Sequence, residues 1–284
     1  MPDLQTSQPL APLLLSNHRS IPHSGWTECW HFLPAEVDTG RRKPLSRSAT
    51  LIRQDSFAAN GHPSAGLNPD PTRCPCTRLH NLGGGEPGIG GIQALAVEGV
   101  IPRPVHADGR LCGFVCEDDL ATWCWLTDLV PPATGSVEQQ AEALFDLLGR
   151  CLGAAGLAWG DLVRTWYFNH DILVWYDTFN RVRTARFRRH GIFDGLVPAS
   201  TGVGMPNVHG SALVVDAWAV RPKSDRVRIR EVASPLQCPA PAYGSSFSRA
   251  VEITTPQHRR LTISGTASIA PDGSSAHQGD LDAQ

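Results

Sequence analysis

The sequence has no excess of charge of either sign. Its 25 lysines and arginines nearly balance 27 aspartates and glutamates, which leaves a formal net charge of -2. Nucleic acids and anionic membrane surfaces attract proteins that carry a strongly basic field. The composition therefore predicts neither a nucleic-acid partner nor a membrane partner.

Long hydrophobic runs are also missing. No stretch approaches the roughly 20 consecutive apolar residues of a transmembrane helix, and the apolar run 10–15 is short, contains Pro12 and follows no basic segment. We therefore expect a cytoplasmic protein. Its eight cysteines are then expected to be reduced thiols, because no secretory signal accompanies them.

Metal-binding and phosphate-binding motifs are absent as well. Cys112 and Cys116 would share one face of a strand with Cys124 nearby, yet no Cys-x-x-Cys or His-x-x-x-His pair supports zinc. The glycine-rich run 83–91 (GGGEPGIGG) lacks the Gly-Lys-Ser/Thr ending and the preceding strand of a phosphate loop. We predict no metal and no cofactor, and a flexible linker at this run.

What the chain does contain changes near residue 95. Residues 1–94 are rich in Pro, Ser, His and Gly, and their hydrophobic residues follow neither a strand nor a helix period. We expect this part to be disordered or irregular. With 41% hydrophobic residues overall, the remainder can form a core.

A hairpin and a helix open the patterned region. Asp108-Gly109 separates two strand-like segments, 103–106 and 111–116, as a two-residue turn does. Ser136 with Gln139 has the spacing of a capping box at a helix start. The helix is then predicted to present one apolar face, and Gly153 and Gly156 are predicted to end it. The residues of that face are Val137, Ala141, Leu144, Phe145, Leu148, Cys151, Leu152 and Ala155.

A second strand and helix follow. Residues 162–168 are dense in aromatic and β-branched side chains, which favours a strand. A helix is predicted from Asp171 to a C-cap at Gly191. Its apolar residues are Ile172, Trp175, Tyr176, Phe179, Val182 and Phe187.

Two further strands complete the predicted fold. Residues 211–220 are largely apolar, and 226–230 alternate Arg with aliphatic residues as a half-buried edge does. The order β-β-α-β-α-β-β over 95–235 predicts a two-layer α+β domain whose helices cover one sheet face. Something else must then cover the other face.

A new unit is predicted over 236–284. Segments 245–253 and 261–269 are strand-like and are joined by the polar stretch 254–260. This hairpin corresponds to the first one, and no helices follow it. A hairpin alone is marginally stable in water.

The C-terminal unit resembles the opening of a Rid/YjgF domain. The segments that carry the resemblance are 239–250 (PAPAYGSSFSRA), 261–267 (LTISGTA) and 271–273 (PDG). They are similar to the Pro-Ala run, the Tyr-Ser-Gln-Ala-like motif, the Ile/Val-Ser-Gly strand and the Pro-x-Gly turn of that family. Residues 279–284 (GDLDAQ) resemble the stretch before the family's first helix, so a second copy is expected to be truncated here.

The middle of the chain is similar to the rest of the same chorismate-mutase-like fold. The matching segments are 154–157 (AAGL), 161–165 (DLVRT), 198–203 (PASTGV) and 212–215 (ALVV). Together with 164–166 (RTW) and 179–183 (FNRVR), two such domains in series most resemble the chorismatase branch of the superfamily, which includes endoribonuclease L-PSP-like proteins.

The resemblance implies a function. Chorismatases cleave the enolpyruvyl ether of chorismate to pyruvate and a cyclic acid in a pocket between two Rid-like domains. Arg164 and Arg183 are candidate carboxylate ligands, and Tyr243, Arg249 and the segment Gly265, Thr266, Ala267 are candidates for the pocket wall. The catalytic general acid is expected downstream of 284, so this chain is expected to be inactive alone.

Two other functions stay open. Rid deaminases hydrolyse enamines and imines and hold the substrate carboxylate with an arginine after the Pro-Ala step, where this chain has Ser200-Thr201. The third alternative is a non-catalytic small-molecule-binding or assembly protein, a homo-oligomer or pseudo-trimeric ring.

The candidate residues also have ordinary structural interpretations. The arginines at 181, 183, 186, 188 and 189 would largely form a solvated helix face. Trp166, Trp175, Tyr176 and Phe179 have core periodicity, and Tyr243 could be a turn residue.

Overall fold

The computed structural model describes residues 17–34, 48–57, 70, 72–80, 90–280 and 282–283. These residues form three β-sheets and two α-helices. In chain order the elements are β1 (Asn17–Pro22), β2 (Thr27–Pro34), β3 (Thr50–Phe57), β4 (Cys76–Leu79), β5 (Gly91–Glu98), β6 (Arg103–Ala107), β7 (Arg110–Glu117), β8 (Ala121–Leu129), α1 (Val137–Ala155), β9 (Leu162–Asn169), α2 (Ile172–Arg189), β10 (Ala199–Gly204), β11 (Leu213–Pro222), β12 (Arg228–Val232), β13 (Ala250–Thr254) and β14 (Arg259–Ile263).

The central sheet has six strands in the order β10-β9-β11-β8-β7-β6. Only β10 and β9 are parallel, and the other pairs are antiparallel. The predicted hairpin turn joins β6 to β7, with positive φ at both Asp108 (50°) and Gly109 (75°). Both signs match the type I′ geometry that favours Asp-Gly, so this prediction is confirmed.

Both helices begin and end near the predicted residues. The Ser136 Oγ accepts a hydrogen bond from Gln139 N at 3.2 Å, and the Gln139 side chain accepts one from Ser136 N at 2.8 Å. Helix α1 ends at Gly156 in the left-handed conformation. Helix α2 follows Asp171, kinks at Trp175 and is followed by the left-handed Gly191. The capping box and the helix end at Gly156 are confirmed, whereas Gly153 lies inside α1.

The helices cover one face of the central sheet, and the two smaller sheets cover the other. On the helix side, α1 and α2 pack apolar residues against the inner positions of the strands. On the opposite side, Trp123, Trp125 and Trp218 stack in a row with ring centroids 6.3–6.4 Å apart. Trp26 of the N-terminal sheet and Val251 of the C-terminal sheet pack against the same core. The second face is therefore covered, as the helix arrangement required.

The predicted strand order needs three corrections. Strand β8 was not predicted, because it is buried on both faces and so lacks alternation. Strand β10 was not predicted either, since two glycines weaken its strand signal. The segment 226–230 was assigned to the central sheet, but β12 pairs with β13 in another sheet.

The N-terminal expectation was wrong for the described residues. Strands β1 to β4 and half of β5 lie within 1–94, and the five strands form a sheet in the order β1-β2-β5-β3-β4. The period was hidden because inward positions carry paired polar residues, including Glu28, Arg53 and Asp55, instead of apolar ones. Of the glycine-rich run, residues 83–89 lie outside the described residues and Gly91 opens β5.

The predicted C-terminal hairpin is present with shorter strands. Strands β13 and β14 pair antiparallel, and β12 adds to β13 as a third strand. The predicted domain boundary at 235 therefore divides this sheet. Among the described helices, none is long and apolar enough to cross a membrane.

A buried carboxylate joins the N-terminal sheet to the C-terminal hairpin. Glu28 accepts hydrogen bonds from His23 Nε2 at 2.7 Å, Trp30 Nε1 at 2.9 Å and Arg260 Nη2 at 2.8 Å. Burial raises the pKa of Glu28, but Arg260 and His23 outweigh burial and hold that pKa at about 2. The ionised form thus stabilises the contact between two segments far apart in sequence.

Replacing this carboxylate should weaken the fold in a pH-dependent way. We expect Glu28→Gln to lower the free energy of unfolding at pH 7 by about 3 kcal/mol, because it leaves a buried guanidinium without its partner. Since the folded-state pKa lies below the usual 4.5, the difference from wild type should be full above pH 4.5 and shrink as the pH falls toward 2. Urea denaturation between pH 7 and pH 2 measures both.

Glu138→Gln provides the matched control. Glu138 pairs with Arg181 on the surface, where both side chains are largely exposed. Exposed pairs of this kind contribute little, so this variant should unfold with the wild type at pH 7. Equal losses in the two variants would contradict a special role for the buried cluster.

Candidate functional site

A cavity of about 1000 Å³ lies where the C-terminal unit meets the edge of the central sheet. Three elements enclose it: helix α2, strand β10 and the segment 243–269. Its lining residues are Ile172, Leu173, Tyr176, Asp177, Phe179, Asn180, Arg181, Arg183, Thr184, Ala185, Arg188, Ser200, Thr201, Gly202, Val203, Gly204, Tyr243, Gly244, Ser245, Phe247, Gly265, Thr266, Ala267 and Ile269.

Arg183 is the most deeply buried cation of this lining, with 2% of its surface exposed. Its Nη2 donates to Asn180 Oδ1 at 2.6 Å, and its Nη1 lies 3.5 Å from Ser200 Oγ. The guanidinium also lies 5.0 Å from the ring centroid of Phe179 and 5.9 Å from that of Phe247. Burial lowers its pKa. Within the described part of the chain, no carboxylate forms an ion pair with it.

Arg164 is a second buried guanidinium, one strand behind the cavity. It lies on β9, opposite Ala199 of β10, and donates to Thr201 Oγ1. Its guanidinium lies 4.8 Å from the centroid of Trp166, on which Arg53 also stacks at 4.5 Å. Burial first, and the charge of Arg53 second, lower the pKa of Arg164 to about 10. Thr201 connects this cation to the cavity.

Arg249 holds the cavity wall and does not line the cavity. Its Nε and Nη2 donate to Cys238 O at 2.9 and 2.8 Å, and its Nη1 donates to Thr266 Oγ1 at 2.8 Å. The guanidinium stacks on Tyr243 at 5.3 Å. Because these contacts occupy its donors, Arg249 positions the wall that Tyr243 and Thr266 form.

Gly265 brings the C-terminal segment against β10. Its N donates to Thr201 Oγ1 at 2.9 Å. A Cβ atom at this position would lie 2.7 Å from Thr201 Cγ2, so only glycine fits without displacement. Ser200 N donates to Ser264 Oγ at 2.8 Å, which adds a second link between the same two segments.

Several solved structures are similar to this chain. A chorismatase crystal structure matches 94% of this chain and 75% of its own chain, with 17% identity and a TM-score of 0.61. The E. coli protein TdcF, solved with bound serine, covers 42% of this chain and 92% of its own at 21% identity and a TM-score of 0.33. The E. coli YjgF gene product has the same coverages and TM-score at 23% identity.

The chain therefore has a chorismatase-like fold over most of its length. At these identities the likeness is one of fold. No protein-family model and no curated protein matches the sequence.

In this fold the predicted site residues separate into two groups. Arg183, Tyr243, Gly265, Thr266 and Ala267 line the cavity together. Arg164 and Arg249 lie behind the lining and contact it through Thr201 and Thr266.

Several lining residues were missed by the sequence analysis. The arginine run of α2 was predicted to be largely solvated, yet Arg181 and Arg188 line the cavity as well as Arg183. Arg186 instead pairs with Asp146 outside it. Helical spacing carries the signal: residues 181, 184, 185 and 188 fall on one face of α2.

The predicted absence of a metal site concerns Cys112, Cys116 and Cys124, which are all buried free thiols. Among the residues that the structure describes, no group of three or more His, Cys, Asp or Glu side chains is arranged to hold a metal ion.

A substitution at Gly265 tests the close contact between the C-terminal segment and Thr201 of β10. We expect Gly265→Ala to lower the free energy of unfolding by about 1–3 kcal/mol, because the new methyl group overlaps the stiff side chain of Thr201. The double variant Gly265→Ala, Thr201→Ser should recover part of this loss, since it removes the overlapping Cγ2 and keeps the hydroxyl. Urea denaturation measures each free energy.

Gly153→Ala is the control. Gly153 lies in α1, and a Cβ there would meet nothing within 4 Å. Alanine should therefore stabilise the protein by about 0.5–1 kcal/mol. Equal effects at the two glycines would mean that close approach to Thr201 has no energetic consequence.

Proposed function

We propose that this protein is a chorismatase-like hydrolase that cleaves the enolpyruvyl ether of chorismate, or of a similar small unsaturated dicarboxylate. The observation that carries the proposal is Arg183, a buried guanidinium that lines the large cavity and has no carboxylate partner among the described residues. The fold neighbour that spans most of the chain is a chorismatase.

A buried cation without a counter-ion favours an anionic ligand. Removing an arginine from water is costly unless a charge and hydrogen bonds replace the lost hydration. Asn180 and Ser200 supply neutral partners, which compensate only part of that cost. A substrate carboxylate would supply the missing charge through a short, charge-assisted contact.

A second carboxylate of the ligand would find a second cation in this cavity. Arg188 lines the same cavity as Arg183 and is exposed at its rim. Arg164 adds positive potential from behind Thr201. A ligand with two carboxylates would therefore meet cationic groups at two places, which a monocarboxylate could not use at once.

The proposed reaction is a hydrolysis that begins with a proton transfer. A proton is added to the terminal methylene carbon of the enolpyruvyl group, and water then attacks the adjacent ether carbon. The bond between that carbon and the ether oxygen then breaks, and the oxygen leaves with the ring and takes up the proton that the attacking water loses. Pyruvate and a cyclic alcohol acid are released, so the net change is addition of one water molecule. Fixed cations lower the energy of the bound acid groups, and the apolar side chains of Ile172, Phe179 and Phe247 limit bulk water.

An enamine or imine deaminase is the second candidate, because the guanidinium of Arg183 contacts Ser200. This chain has Ser200 after the Pro198-Ala199 step, where Rid deaminases have the carboxylate-binding arginine. The guanidinium of Arg183 lies against Ser200 from helix α2. It could replace that arginine from another element, with a small imino acid as the ligand.

The test of the proposed function uses the purified chain and chorismate. Pyruvate release, followed by coupling to lactate dehydrogenase, should exceed that of a protein-free blank. Turnover by this chain would overturn the expectation from the resemblance that it is inactive alone. We expect Arg183→Gln to lower kcat/KM roughly 100-fold, because it removes a charge-assisted contact to the substrate. Arg183→Lys should fall between the two, since a lysine keeps the charge and loses the planar fork.

Arg189→Gln is the matched control. Arg189 lies on the same helix, exposed and outside the cavity lining. Its kcat/KM should equal that of wild type. Release of ammonia from 2-aminoacrylate without pyruvate from chorismate would favour the deaminase. A rise in Tm with chorismate but no turnover of either compound would refute an enzyme and indicate a binding protein.

A further inference from the structure

A second cavity, of about 320 Å³, lies at the opposite part of the fold and shares no residue with the first. The edge strand β4, the β6–β7 turn, the end of β8 and the loop after β10 enclose it. That loop is attached to β4, because Val208 N donates to Arg78 O at 3.3 Å and His80 N donates to Pro206 O at 2.8 Å. The attachment places His209 over the cavity.

A bulge in β8 places a carboxylate in this cavity. Asp128 has a left-handed backbone, with φ of 56°, at a register shift between β8 and β11. Its N donates to Asp216 Oδ1 at 2.9 Å and to Thr77 Oγ1 at 3.0 Å, which fix the bulge from behind. The unfavourable backbone geometry is thereby maintained by buried partners.

Two side chains already contact the Asp128 carboxylate. His209 Nε2 lies 2.9 Å from its Oδ1, and Arg110 Nη2 donates to its Oδ2 at 3.4 Å. That single long contact leaves the other N–H groups of Arg110 without a hydrogen bond to any residue the structure describes. The His106 ring, also in the lining, likewise makes none there.

The lining offers hydrogen-bond donors to a ligand. Arg110 and the ring of His106 have N–H groups without an acceptor among the residues that the structure describes, and the Arg110 guanidinium is a cation. A cavity of about 300 Å³ is at the lower end of small-molecule sites. Its size and its donors therefore fit a compact anion with several acceptor oxygens better than a ligand of the size that the large cavity accepts.

We propose that this cavity binds a phosphate group, either as inorganic phosphate or as the end of a short phosphate monoester. Arg110 supplies the main contact, and the ring N–H of His106 donates a further hydrogen bond. The Nδ1 atom of His209 has no hydrogen when Nε2–H donates to Asp128, so it accepts a hydrogen bond from a P–OH group. Asp128 acts as a positioning residue, since it holds the ring of His209 and one N–H of Arg110.

The experiment titrates the purified chain with inorganic phosphate and, separately, with glycerol 3-phosphate. Binding is measured by calorimetry, and the histidine side-chain ¹H–¹⁵N resonances identify the place. The resonances of His106 and His209 are assigned with His106→Gln and His209→Gln. We expect saturable binding that shifts these two residues, and Arg110→Gln should weaken the binding at least roughly tenfold.

Arg150→Gln is the control for Arg110→Gln. Arg150 pairs with Asp108 in the same β6–β7 turn, has a similar exposure and lies outside the cavity. It should bind phosphate as the wild type does. Tighter binding of glycerol 3-phosphate than of phosphate would identify a monoester site, and the reverse would identify a free-phosphate site.

Three results would overturn the proposal. They are no saturable binding of either compound, binding that leaves the His106 and His209 resonances unchanged, and equal affinities in wild type and Arg110→Gln. The second result would place phosphate at the cations of the large cavity. Because Arg110 is half exposed, the variant should fold, and its melting temperature checks this.

Discussion

The contact between Asp216 and Arg53 joins the N-terminal sheet to the middle of the central sheet. Asp216 lies on β11 in the middle of the central sheet and is fully buried. Arg53 of the N-terminal sheet donates to its Oδ2 at 3.0 Å, and Thr77 donates to its Oδ1 at 2.6 Å. Burial raises the pKa of Asp216 well above its usual range, although Arg53 opposes this. A buried carboxyl group of this kind is costly unless its hydrogen-bond partners are also held in place.

Both cavities depend on this contact. On one side, Asp216 accepts the backbone N–H of Asp128 and so maintains the bulge at the smaller cavity. On the other, Arg53 stacks on Trp166, whose ring also contacts Arg164 behind the larger cavity. The two cations on one ring repel each other, which contributes to the lowered pKa of Arg164. One buried network therefore contacts the surroundings of two separate cavities.

The sequence predicted elements whose signals are local, and it failed where burial or distant partners decide. The Asp108-Gly109 turn and the Ser136 capping box depend on residues next to each other, so their patterns were sufficient. Strand β8 has no alternation, because both of its faces are buried. The N-terminal strands hide their period, because the inward Glu28 and Arg53 find partners more than 150 residues away.

The same division holds for the candidate site. Five of the seven predicted residues line the cavity, since the motifs that suggested them lie in contiguous segments. Arg188 and Thr201 were missed as lining residues, because their roles depend on how α2 and β10 face the C-terminal segment. Arg249 was predicted as a ligand contact, and its donors are instead occupied by Cys238 O and Thr266.

The position of the large cavity follows from how β10 ends the central sheet. An isolated bridge joins Ala199 of β10 to Ser248 of the C-terminal segment. Beyond it, the hydroxyls of Ser264 and Thr201 connect β10 to that segment, and no further ladder pairs form between them. They separate from there, and β10 continues with Gly202 and Gly204, which add no side-chain volume. Space therefore opens at the place where buried guanidinium groups lie nearest to the sheet edge. An edge strand that paired fully would have closed this space and left those cations without access to a ligand.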